Sequence, residues 1–208
     1  MSDATDSPAP DSDTVADAAL RVAAERGWRS ASLDDIAAAA GVDPTEMRRR
    51  FRCKGAVLTA IVETVERKAA AEPPDFDEED TVRDRLFELL MQRLDILDES
   101  RDGVTSLLRD LSADPISAAA AAPAAMRRIG GILEQAGVPA SGPVGVLRCK
   151  GLAAVWLAAI NEWVRDDSPD HARTMATLDA NLRRAEPFAR FLAQFPASRS
   201  PAPGGMTG

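Results

Sequence analysis

The groups able to do chemistry are few and unevenly placed. The only histidine is His171, the only cysteines are Cys53 and Cys149, and tyrosine is absent. A single imidazole cannot build a multi-histidine metal site, and it leaves little from which to assemble a Ser–His–Asp triad. The cysteines lie far apart without CxxC spacing and read as free thiols of a reducing cytosol. No nucleophile–base pair, metal-ligand cluster or phosphate-cradling glycine loop is evident, so neither an enzyme nor a cofactor or metal protein is expected. What stands out is cationic: Arg48, Arg49, Arg50, Arg52 and Lys54 fall within seven residues. Guanidinium forks at that density suit phosphate oxygens and base edges.

Local start and stop signals place that cluster. Ser32 caps a short helix over 33–40, Asp35 at its third position makes an acidic capping box, and Gly41 ends it. Asp43-Pro44-Thr45-Glu46 then supplies a capping aspartate, a proline at the first helical position and an acid at the third. It opens a second short helix that runs to about Phe51. Two short helices joined by Gly41-Val42-Asp43 have the helix-turn-helix layout, in which the second helix enters the DNA major groove. Ala37 is small where the helices approach, Gly41 permits the turn, and Ile36, Val42, Met47 and Phe51 are the apolar contacts. Thr45, Arg48 and Arg49 are left for the exposed face. A preceding helix over 14–26 carries Val15, Ala19 and Val22 on one row and Ala16, Leu20 and Ala23 on the next.

Composition sets the wider frame. The chain has 208 residues, 45% of them apolar, with 39 alanines against 30 valines, isoleucines and threonines together. Alanine favours helix and β-branched residues favour strand, so the fold class is all-α. About nine helices are expected: an N-terminal three-helix unit fused to a larger helical bundle. The expected boundaries are a disordered tail at 1–13, a helix-turn-helix domain at 14–54, a ligand-binding and dimerisation domain at 55–196, and a second tail at 197–208. Apolar rows mark the longer helices: Leu86, Leu90, Leu94 and Leu97; Leu152, Trp156, Ala159 and Trp163; and Met175, Leu178 and Leu182 after a start at Ser168-Pro169-Asp170. The tract 118–125 reads as a helix interrupted at Pro123. Net charge is −8, yet residues 14–71 sum to +2 and 72–100 to −8. Acidity at 72–100 does not oppose nucleic-acid binding, because a local patch decides the field within a Debye length of ~8 Å. The longest charge-free run, 135–147, has 13 residues, so no bilayer-spanning segment is expected. The acidic start lacks the apolar stretch of a secretory signal, and the expected setting is the cytoplasm.

The stretch 19–62 resembles the TetR family of one-component transcriptional repressors. The matching residues are Gly27-Trp28, Ser32-Leu33, Ile36-Ala37, Ala40-Gly41-Val42, Phe51, Lys54 and Leu58. Arg48 and Arg50 stand where the family has a phosphate-contacting tyrosine and a histidine, and Pro44-Thr45-Glu46 replaces its small-residue turn. The resemblance implies a homodimeric regulator that binds operator DNA through Ser32, Thr45, Arg48, Arg49, Arg50 and Lys54. It also implies a larger domain that senses an apolar small molecule or lipid, with the last two long helices forming the dimer bundle. Phe87, Met91, Leu108, Met126 and Trp156 are the candidates for a pocket lining, or for core.

A second resemblance, centred on Trp163–Asp170 with Thr174, is to the ubiquinone-biosynthesis accessory proteins, which share the TetR fold but bind lipid. It implies an alternative: a non-catalytic lipid carrier. Phe188, Phe191, Leu192 and Phe195 follow the i, i+3, i+4, i+7 pattern with Arg183, Arg184, Arg190 and Arg199 around them. That is the pattern of a short interfacial helix between Pro187 and Pro196, capable of weak membrane-surface contact, or of a cap on the bundle core.

Overall fold

Alanine-rich amphipathic segments, each opened by a cap or a proline, fold into helices throughout. The computed structural model of the chain describes residues 11–111 and 113–193, with nothing but helices and turns among them. The helices are α1 (Ser12–Arg26), α2 (Leu33–Ala40), α3 (Pro44–Arg50), α4 (Lys54–Ala71), α5 (Val82–Asp98), α6 (Arg101–Leu111), α7 (Pro115–Gln135), α8 (Gly142–Trp163) and α9 (Ala172–Ala193). The expected all-α class and helix number are therefore observed. The expected tail at 197–208 lies outside the described residues, as do 1–10 of the other. Asp13, expected in a tail, instead belongs to α1: its carboxylate accepts from Thr64 Oγ1 at 2.7 Å and from Arg67, tying the start of α1 to α4.

Two compact units emerge, one from residues 11–75 with 90–128 and the other from 76–89 with 129–193, so α5 and α7 each contribute to both. In the first unit α1 is the hub. Val15, Ala16, Ala18, Ala19, Leu20, Val22 and Ala23 are buried on it, and α2, α4 and α6 pack around it. The alanines let these helices come close. At the α1–α6 crossing a Cβ on Gly103 would sit 2.2 Å from the Leu20 carbonyl oxygen, so only glycine fits there. Trp28, Ile36 and Met47 are wholly buried beside them. Each such side chain contributes about 1.5–3 kcal/mol by leaving water.

The second unit is built on the α8–α9 pair, with Leu152, Val155, Ala159 and Trp163 of α8 buried along with Leu178 and Leu182 of α9. Two prolines expected to break helices do not. Pro123 lies inside α7 and Pro187 inside α9. Both sit at exposed positions, where the carbonyl one turn back can turn to water instead of to the missing N–H. The phenylalanine stripe is thus the end of α9 rather than a separate short helix.

The start of α9 also differs from expectation. Ser168-Pro169-Asp170 forms a turn, and the helix opens at Ala172, after His171 at φ 51°. Buried Asp166 organises this corner. Its Oδ1 accepts from Ser168 N and Oγ at 3.2 and 2.5 Å, and its Oδ2 from Thr174 N and Oγ1 at 2.8 and 2.7 Å. Donors from Ser168 and Thr174 hold its carboxyl far below the usual carboxylate range, against the opposing effect of burial.

Candidate DNA-binding site and ligand cavity

The helix-turn-helix is fixed by short-range bonds. Ser32 accepts from the Asp35 N–H at 3.1 Å while Asp35 accepts from the Ser32 N–H at 2.9 Å, a complete capping box. Gly41 closes α2 in the left-handed conformation, φ 68°, where a side chain would be strained. Asp43 caps α3, accepting from the Thr45 and Glu46 N–H groups at 2.8 and 3.2 Å, and those bonds lower its pKa. Ile36, Ala37, Met47 and Phe51 are the buried contacts, while Val42 is half-buried. Arg21 of α1 donates to the Ala39 carbonyl at 3.0 Å and steadies the end of α2.

The expected DNA-contacting residues fall into two groups. Thr45, Arg48 and Arg49 are exposed on α3. Arg48 Nη2 donates to both carboxylate oxygens of Asp34, at 2.7 and 2.5 Å, yet its side chain remains 57% exposed. Arg49 Nη2 donates to Glu46 at 2.8 Å and is 76% exposed; that acceptor raises the Arg49 pKa. The other three are engaged with the scaffold. The Ser32 hydroxyl donates to Asp35 at 2.6 Å, and Arg50 donates to Ser12 Oγ at 2.6 Å while lying over the Phe51 ring. Half-buried Lys54 donates to the Trp28 carbonyl at 2.6 Å and sits 4.8 Å from the Trp28 ring centre. It locks the α1–α2 loop onto the start of α4. Asp34 and Arg21 carry no local signal in the sequence, because only the packing of α1, α2 and α3 brings them to these partners.

The second unit holds a partly open cavity of about 500 Å³, walled by the start of α5, the α7–α8 turn, α8 and α9. That volume lies within the roughly 300–1,000 Å³ of small-molecule sites. Leu86, Leu133, Leu152, Val155 and Leu182 make its apolar surface, with Arg83, Arg148 and Arg190 among the polar residues. None of the five residues expected as pocket lining contributes to it. Phe87 lines a shallower groove with Met175 and Asp179, and it belongs with Trp156 to the second unit. Met91, Leu108 and Met126 belong to the first. All five are half-buried, so their apolar character alone did not separate wall from core. Of the expected interfacial stripe, Phe188 and Phe191 are exposed, Leu192 is buried, and Phe195 lies outside the described residues. Phe188 and Leu192 both line the cavity.

Among the described residues α8 has the length and hydropathy to cross a bilayer. A charge-free-run criterion passes over it because Arg148 and Lys150 interrupt the sequence. One face of α8 is buried, while Leu147, Ala154 and Leu157 on it are exposed. Cys53 and Cys149 are both free thiols, the second buried and raised in pKa by that burial.

The capped helix-turn-helix lies in the first, all-helical unit. Within it, residues 15–61 match the sequence family described as bacterial regulatory proteins, tetR family. The fold is that of solved TetR regulators. The chain is similar to the TetR transcriptional regulator from Nitrosomonas europaea ATCC 19718, with TM-score 0.66 and 23% identity over 84% of this chain and 97% of that one. It is also similar to a TetR transcriptional regulator from Rhodococcus sp. RHA1, with TM-score 0.57 and 17% identity over 81% and 93%. A putative TetR-family regulator from Rhodococcus sp. gives TM-score 0.55 and 18% identity over 83% and 97%. No curated protein matches the chain. The ubiquinone-accessory resemblance finds no support in these matches, and Asp166, Ser168 and Thr174 are accounted for by the buried corner they build.

Proposed function

We propose that the protein is a homodimeric, operator-binding transcriptional regulator that responds to a small molecule with a large apolar part. The observation that carries the reading is the capped α2–α3 pair with Arg48 and Arg49 exposed on α3. Exposed ion pairs contribute about 0–1 kcal/mol, so exchanging Asp34 and Glu46 for phosphate oxygens costs little stability. Thr45, Arg48 and Arg49 face the DNA, with Arg50 and Lys54 setting the orientation of the unit and adding positive charge. The protein acts by binding rather than catalysis, in the cytoplasm where operator DNA is reached.

Dimerisation is supported by α8, whose exposed Leu147, Ala154 and Leu157 are apolar positions that a second copy would cover. The cavity of the second unit supports the effector site. Fluorescence anisotropy with duplex DNA from upstream of the gene tests the reading. The wild type binds, and R48A/R49A binds far more weakly, while both melt at the same temperature. Equal affinity of the two proteins, or no binding by the wild type, would overturn it.

A further inference from the structure

Gly151 stands inside α8, where glycine costs helix stability relative to alanine. A Cβ built on it meets nothing within 4 Å. No neighbour needs its missing side chain; the residue lines the cavity, and its bareness keeps that space open. Three positions earlier on the same helix, half-buried Arg148 lines the same cavity. Its guanidinium donates to the carbonyl oxygens of Pro139 at 3.0 Å and Leu192 at 3.4 Å. None of the described carboxylates pairs with it. The other two arginines of the wall differ, since Arg83 meets Asp84 at 3.3 Å and Arg190 meets Glu186 at 2.6 Å.

Backbone carbonyls orient a guanidinium without neutralising it, and five N–H donors leave room for a further acceptor. A neutral apolar ligand filling the cavity would desolvate that charge and give nothing back. A cationic ligand would be repelled. A carboxylate matches the guanidinium fork and supplies the missing charge.

We propose that this cavity binds an amphiphile with a carboxylate head, the head against Arg148 and the chain along Leu86, Leu152, Val155 and Leu182. The proposal rests on the reading of the chain as a ligand-responsive regulator and names the class of its effector. Isothermal titration calorimetry of the full chain with decanoate and with 1-decanol tests it. Decanoate binds the wild type at least tenfold more tightly than decanol. R148Q erases that preference, and R148K retains part of it. G151L fills the space and abolishes binding of both compounds with helicity unchanged. The proposal is overturned if decanoate does not bind, if G151L binds it as the wild type does, or if R148Q keeps the preference. Operator binding is titrated separately. A chain that binds decanoate but no operator DNA refutes the regulator reading and leaves the cavity assignment standing; the opposite result refutes the assignment alone.

Discussion

Two arginine–carboxylate pairs in the first unit have the same chemistry and opposite consequences. Arg93 donates through Nε and Nη2 to the two oxygens of Glu66, both at 2.8 Å, with side chains 3% and 13% exposed. Arg48 reaches Asp34 at comparable distances, but both side chains are more than half exposed. The buried pair has lost the water that would compete for its charges, so it fixes α4 against α5. The exposed pair has water as an alternative at every moment, so it can be exchanged for another anion. Burial, rather than the contact distance, separates a structural pair from an available one.

Breaking the buried pair should give the largest effect. R93A leaves Glu66 as an uncompensated charge, and chemical denaturation should show a loss of about 3–5 kcal/mol. The double variant R48A/R49A should leave that stability unchanged. In a dimer it removes four cationic contacts, and duplex affinity measured at ~0.15 M salt should fall on the order of 100- to 1,000-fold.

Asp166 sharpens the comparison from the second unit, being a buried carboxylate satisfied by uncharged donors. D166N should lower Tm by several degrees in thermal melts at neutral pH. Because its pKa is depressed by folding, its stabilisation is present above the unfolded value of about 3.9 and is lost as pH falls through the folded value. The Tm gap between wild type and D166N should therefore hold from pH 7 to 5 and close only below about pH 4. D34N should give the smallest effect, with an unchanged melt and a few-fold gain in DNA affinity by the same anisotropy assay, since it removes the anion that competes for Arg48.

Much of the helix-turn-helix was legible because its signals are local. Ser32 with Asp35, Gly41, and Asp43 with Pro44 act within four residues, and each does in the structure what its spacing predicts. What Lys54 and Arg50 do was not legible, since their partners Trp28 and Ser12 are distant in sequence and meet them only through packing on α1. The cavity was less legible still. Its wall joins residues near 82, 133, 150 and 188, and no periodicity within one helix reveals a space between several. One local signal of it is present in the sequence: Gly151, an unnecessary glycine inside an apolar helix, one turn after an arginine. Pro187 misled for the reverse reason, because an exposed position lets a helix run through a residue that would break it in a core.

The most direct test of the central claim, that the α3 arginines are available to phosphate, is the salt dependence of operator binding. If four basic residues per protomer displace counterions, log affinity should fall against log salt with a slope of about −7 for the wild type and about half that for R48A/R49A. The same slope for both proteins, or no salt dependence at all, would contradict the account.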